Sequence, residues 1–370
     1  MNLKWIKILM INVSIFLILI LILENTIFRS YFSKPVDYFS ERSIRLSEVK
    51  PNSSFKIIEI NHRKYSGISD TILLKSDKDG FIIGDDEPIV DDETKVIFFL
   101  GGSTTFCYAC DNDKRFPYLT GKLLRDKKFK VKTYNGGAGG MNSYIQLLSF
   151  LSKGIAKKPD YLVWMPLGVD LSQLSITGSY FDNIPSKSII TDRSLTNNKG
   201  LISKLRSIKD KYFFSSWLVF RNLFFGDKTI SISKDLYEGY KKYYNNEHIL
   251  NEIKKNLDMM IQICKINNIE LVLMTEFNLI DLKHPTYVDE YLRFYREKNI
   301  DDFVELYKKS NKFLIEYSNL NNLGLIDLNG MIPKTQEYIY DSVHLTNEGC
   351  LLASKHISYY FTKLFGNEDI

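Results

Sequence analysis

Cysteine and histidine are scarce in this sequence, with four and five residues among 370. The one close cysteine pair, Cys107 and Cys110, has no second ligand pair, which excludes a four-ligand zinc site. Cys264 and Cys350 stand in apolar helical patterns. All four read as buried thiols, with a Cys107 to Cys110 disulfide as the alternative if the domain is exported. A P-loop, a zinc finger and an RNA-binding signature are also missing. Nor is there a large excess of one charge: 49 basic and 44 acidic residues leave a net +5, and basic stretches such as RDKKFKVK are interrupted by apolar positions. Such stretches suit solvated faces, so no nucleic-acid partner and no cofactor are expected. With 44% apolar and 25% charged residues the chain is globular in composition, and long enough for a well-buried core.

Long hydrophobic runs are absent except at the start. WIKILMINVSIFLILILIL, residues 5 to 23, is almost wholly apolar, and about 19 helical residues cover most of a ~30 Å hydrocarbon layer. No small-residue cleavage pattern follows in ENTIFRSYF, so residues 1–24 are expected to form an uncleaved transmembrane anchor rather than a signal peptide. Lys4 and Lys7 flank one side while Arg29, Lys34 and Arg42 flank the other, a weak asymmetry read here as a cytoplasmic N-terminus with the rest exported. Residues 25–92 are expected to form a lead-in region, with FKIIEI and GFIIG as short strands around the turn cluster SDKDG.

From residue 93 the pattern alternates between strand and helix. Apolar runs at 95–100, 129–134, 160–165, 269–274 and 323–328 are separated by helical periodicities near 114–127, 142–156, 247–267 and 300–320, with a last one from about 346 to 364. Strands apolar on both faces imply a parallel sheet covered on both sides. The fold class expected for residues 93–370 is therefore a three-layer α/β/α domain of about five parallel strands. Residues 171–246 interrupt the rhythm as an insertion, whose aromatics Tyr180, Phe181 and Trp217 suit a satellite core or a sugar-stacking surface.

Ligands of such sheets gather beyond the carboxyl ends of the strands. Four loops fall there: GGSTTF, NGGAGGMNS, PLGVD and YDSVHLTNEG. Ser103 becomes a nucleophile only if a base removes its proton and a third group orients that base. Asp341 and His344 are three apart, just before a helix start at which Thr346 is a suitable N-cap. That spacing projects both side chains toward one cleft, with Asp341 holding the imidazole and His344 facing Ser103. For the developing oxyanion the candidate donors are the Ser103 and Gly140 backbone N–H groups. Asp327 reads as a strand-end carboxylate without a catalytic role, and Glu276 as either a substrate contact or a loop charge.

These stretches together resemble the SGNH hydrolase family, the GDSL-like esterases and acyltransferases. The resemblance rests on FFLGGSTTF, YNGGAGGMNS and DSVHLTNEG, in that order, and spans residues 93–370. It implies a flavodoxin-like sheet, a Ser103, Asp341, His344 triad and Gly140 as the oxyanion glycine. It also implies a substrate class, O-acetyl or other acyl esters on envelope glycans or lipids, processed by hydrolysis or by transfer. The family's fourth block, Gly-x-Asn-Asp, is not intact: in PLGVD, aligning Asp170 puts Val169 where the oxyanion asparagine belongs. Asn142 is the candidate replacement if its loop turns inward. The alternative reading is an envelope binding or assembly protein that keeps the fold without useful catalysis.

Overall fold

The computed structural model describes residues 3–23, 42–44, 48–58, 67–68, 71–84, 88–181, 190–192, 245–282 and 300–368. These divide into two compact units, residues 1–44 with 190–227 and residues 45–189 with 228–370. The smaller unit holds helix α1 (Leu3–Leu23) and the antiparallel pair β1 (Arg42–Ile44) and β7 (Ile190–Asp192). In α1 the described side chains run from Trp5 to Phe16, with Ile18 and Leu19, so the end of the expected anchor lies outside them. Among the described residues, no helix is long and apolar enough to cross a membrane.

The larger unit opens with a hairpin, β2 (Ser54–Ile58) against β3 (Thr71–Lys75). It continues through β4 (Lys95–Gly101), α2 (Ser103–Phe106), α3 (Phe116–Asp126), β5 (Val131–Asn135), α4 (Ser143–Ser149), β6 (Tyr161–Met165) and α5 (Gly168–Thr177). After the insertion come α6 (Asn246–Ile266), β8 (Glu270–Met274), α7 (Ile300–Leu320), β9 (Gly324–Ile326), α8 (Leu328–Met331) and α9 (Asn347–Glu368). The central sheet has five parallel strands in the order β5-β4-β6-β8-β9. Counted along the chain this is the order 2-1-3-4-5 of the flavodoxin-like doubly wound fold.

The strand residues sort by parity onto two cores. Phe98, Leu100, Leu162 and Trp164 point to the side covered by α4, α6 and α7, where they meet Phe150, Leu257 and Leu306. Ile97, Phe99, Tyr161 and Val163 point to the other side, against Phe116 of α3 and Ile357 and Phe361 of α9. Strands apolar on both faces are stable only between two helical layers, which is why the sequence reads as runs rather than as alternation. Complete burial of each such aromatic stabilises by about 1.5–3 kcal/mol. Helix starts follow local chemistry: Asn245 caps α6 by accepting the His248 N–H at 2.8 Å, and Pro117 sits in the first turn of α3.

The lead-in region differs from its expectation. Residues from Arg45 onward belong to the larger unit, with Ile72, Phe81 and Ile82 buried. GFIIG forms single bridges rather than a strand: Ile82 pairs with Asn135, covering the outer edge of β5, and with Ser76. The antiparallel partner of FKII is Thr71–Lys75, whose alternating burial did not stand out as a run. Of the insertion, residues 171–177 are helical, 190–192 form β7 in the smaller unit, and most of the remainder, including Trp217, lies outside the described residues.

Candidate active site

At the boundary between β4 and β6 the chain reverses its direction of winding, and the loops leaving the two strands diverge. The crevice of a doubly wound sheet opens there, at the carboxyl end of β4, where Gly101 and Gly102 lead into Ser103. Ser103 is the first residue of α2, so its backbone N–H has no intrahelical acceptor. The glycine loop after β5 packs directly on this turn. A Cβ on Gly137 would stand 2.5 Å from the Phe106 backbone nitrogen, so only glycine permits the approach.

The strand ends bring Ser103, His344 and Asp341 together. His344 Nε2 lies 2.8 Å from Ser103 Oγ, and His344 Nδ1 lies 2.6 Å from Asp341 Oδ2. Because the carboxylate can only accept, Nδ1 carries the proton and Nε2 is left to accept the serine hydroxyl. Asp341 is fixed in turn: its Oδ1 accepts the N–H groups of Val343 at 2.9 Å and His344 at 2.7 Å. The histidine loop is closed by the Tyr340 N–H donating to the His344 carbonyl at 2.9 Å, and the Tyr340 ring stacks on the imidazole. Thr346 anchors the following helix by accepting the Gly349 N–H at 3.1 Å.

Charge is balanced within this relay. Burial opposes the imidazolium, yet the charge and hydrogen bond of Asp341, with Glu276 adding to them, raise His344 above its ordinary 6.5. For Asp341, burial pushes upward, but the charge and hydrogen bond of His344 and the two backbone donors hold the carboxyl below its usual value. His248, by contrast, bonds the Gly178 carbonyl at 2.7 Å, while His62 and His284 lie outside the described residues.

The oxyanion candidates separate. Gly140 is exposed with φ +74°, a conformation glycine adopts freely, and a Cβ there would meet nothing within 4 Å. Its neighbour Met141 places a carbonyl 3.4 Å from where a Gly102 Cβ would be, so this loop flanks the serine turn. Asn142 does not turn inward. It caps α4, its Oδ1 accepting the Ile145 N–H at 2.8 Å, while its Nδ2 donates to Gln173 Oε1 at 2.7 Å. Both ends of the amide are committed in the buried interior, which removes it from the expected oxyanion role. The run NSYIQ, an Asn just ahead of an apolar helix, carries the N-cap signal that explains this.

Val169 is half-buried beside the serine turn, its Cγ2 3.8 Å from a Cβ placed on Gly102. Asp170 points away from the crevice and is completely buried, accepting the Ser143 N–H at 2.8 Å and the hydroxyls of Ser143 and Tyr180. Burial pushes Asp170 up to about 7 against those hydrogen bonds. Asn256 of α6 completes the cluster by donating to Ser143 Oγ at 2.6 Å. Ser143 ends the glycine-rich stretch and Tyr180 is one of the insertion's aromatics, but no motif or periodicity marks Gln173 or Asn256 as their partners. Cys107 and Cys110 are free and buried, and Cys110 Sγ stands 3.6 Å from Cys350 Sγ rather than against Cys107. Among the described residues, no acidic, histidine or cysteine cluster is arranged to hold a metal ion.

No protein-family model matches the sequence, and no curated protein matches it. Solved structures align with much of the chain at low identity. A GDSL-like lipase from Bacteroides thetaiotaomicron VPI-5482 aligns over 75% of this chain and 92% of its own, at 15% identity and a TM-score of 0.40. A carbohydrate acetylesterase family member from Sinorhizobium meliloti covers 74% and 99%, at 10% identity and a TM-score of 0.42. Axe2, an acetylxylan esterase from Geobacillus stearothermophilus, covers 72% and 93%, at 14% identity and a TM-score of 0.40. The chemical reading of this chain rests on its own geometry.

A base must be neutral to accept the serine proton, and His344 is held above 6.5. The kcat/KM profile for an activated ester is therefore expected to rise with pH through a midpoint above 6.5. A midpoint at or below 6.5, measured between pH 5 and 9, contradicts the electrostatic account of His344.

Proposed function

We propose that this chain is a serine ester hydrolase of SGNH type that acts on acyl esters, O-acetyl groups on carbohydrate being the leading substrate class. The observation that carries the reading is the continuous relay from Asp341 through His344 to Ser103 at the mouth of the sheet crevice. Ser103 Oγ attacks the acyl carbonyl as His344 Nε2 takes its proton. The imidazolium then protonates the departing alcohol, leaving an acyl-enzyme, and water deprotonated by His344 releases the acid and restores Ser103. If a sugar hydroxyl takes the place of water, the same steps give acyl transfer. The N–H groups of Ser103 and Gly140 hold the oxyanion.

Val169 bears on rate. Loss of one oxyanion donor from a serine hydrolase costs about 100- to 1,000-fold in kcat, roughly 3 to 4 kcal/mol. With Asn142 committed to its cap, the hole in this reading has backbone donors alone, and turnover is slow. The same observation favours a second reading, an envelope binding protein with a vestigial site. A fluorophosphonate probe separates the two: labelling at Ser103 that is lost in Ser103→Ala and His344→Ala supports the hydrolase, and absence of labelling in the native chain supports the binding protein.

A donor restored at position 169 would act on the chemical step. Val169→Asn is expected to raise kcat for an activated acetyl ester by about tenfold or more, toward the range above. An unchanged kcat would show that the hole is already complete.

The apolar run of residues 5 to 23 supports an exported domain tethered by its N-terminal segment. Alkaline phosphatase fused after residue 30 is expected to be active in intact cells, whereas activity only of a cytoplasmic reporter at that junction would reverse the placement.

A further inference from the structure

Glu276 lies just beyond β8, where the sequence suggests a substrate contact or a loop charge, and its side chain is 3% exposed. Its surroundings are incomplete for a carboxylate. Oε1 accepts the Thr104 hydroxyl at 3.1 Å, while Oε2, equally buried, has no partner among the described residues. The backbone on either side is pinned: the Glu276 N–H donates to Asn311 Oδ1 at 3.0 Å, and its carbonyl accepts Asn311 Nδ2 at 2.9 Å. Opposite stands Gly168, where a Cβ would come within 2.5 Å of Oε1, so the carboxyl fills the space beside the loop that carries Val169. Thr104 is the residue after the nucleophile.

We propose that Glu276 is a positioning residue for the Ser103 site, bracing the turn that carries the nucleophile through Thr104 and acting electrostatically on His344. The inference rests on the hydrolase reading above. An isolated carboxylate with an unpaired oxygen is costly in a dry interior, whereas a carboxylic acid needs fewer partners. Burial accordingly pushes Glu276 up to about 7, the Thr104 bond and the His344 charge pulling down and Asp170 pushing further up. The groups whose negative charge raises His344 are Asp341 from its own loop, Glu276 from beyond β8 and, when ionised, Cys107 at the end of α2. As pH rises and Glu276 ionises, its charge keeps the proton on His344 to higher pH and delays its use as a base. Each group thus shifts the titration of the other.

The sign of a substitution follows. Glu276→Gln retains an acceptor for Thr104 and removes the charge, so the His344 titration moves to lower pH. In the full-length chain labelled with 13C-histidine, with His344→Gln identifying the His344 signal among five, the midpoint is expected to fall in Glu276→Gln relative to wild type. The pH midpoint of fluorophosphonate labelling is expected to fall with it, leaving the variant faster than wild type on the acidic limb. Thr104→Val removes the brace and leaves the carboxyl in place: it is expected to slow labelling by about 2- to 10-fold at alkaline pH, where both groups have titrated, with a His344 midpoint that falls less than in Glu276→Gln. A His344 midpoint identical in wild type and Glu276→Gln overturns the electrostatic role, and an unchanged labelling rate in Thr104→Val overturns the brace. If the wild-type chain is not labelled at all, the hydrolase reading fails while the titration still decides the coupling.

Discussion

One imidazole must touch two groups at once. His344 reaches Asp341 with one ring nitrogen and Ser103 with the other, and neither contact has meaning for acyl chemistry without its counterpart. Satisfying both fixes the ring plane to within the tolerance of a hydrogen bond, and the surrounding architecture serves that tolerance. The backbone donors on Asp341, the Tyr340 ring over the imidazole and the cap made by Thr346 leave the histidine loop little freedom. On the serine side the same service comes from glycine: Gly137 lets the β5 loop rest against the backbone of α2, so the nucleophile sits on a supported turn.

What the sequence makes legible is what short-range pattern controls. The five parallel strands appear as apolar runs because both of their faces are covered, and the Asp341 to His344 spacing is a local feature that a single turn converts into geometry. Residues whose roles are set by distant partners are not legible in the same way. Nothing local tells that Glu276 will be enclosed by Thr104, Gly168 and Asn311, or that Asp170 will turn inward to Ser143 and Tyr180. In Thr71–Lys75 burial alternates while the sequence TILLK does not, so this half-exposed hairpin strand of five residues carries no period-2 signal. Asn142 is the instructive case. The same letter suits an oxyanion donor and a helix cap, and only the position of Gln173 and of the Ile145 N–H decides between them.

The polar interior beneath the crevice carries an energetic tension. Two carboxyl groups, Asp170 and Glu276, are held there with values near 7, and each raises the cost of ionising the other. Asp170 has three donors and can bear a charge, whereas Glu276 has one. Unequal hydrogen bonding thus gives two chemically similar acids different places, Asp170 on the first turn of α4 and Glu276 against α2. Such division of roles by environment is a general way in which one fold runs acid and base chemistry side by side.

The order of the strands also has a consequence for how the protein comes into being. Ser103 follows the first strand of the central sheet, and the base that activates it precedes the last helix. Between them the ribosome must deliver four further strands of the sheet and all the covering helices except α9. Domains fold as units, so in the hydrolase reading Ser103 has no base until the chain as far as His344 has emerged and joined the sheet. Chemical competence in that reading belongs to the completed domain and to no shorter piece of it.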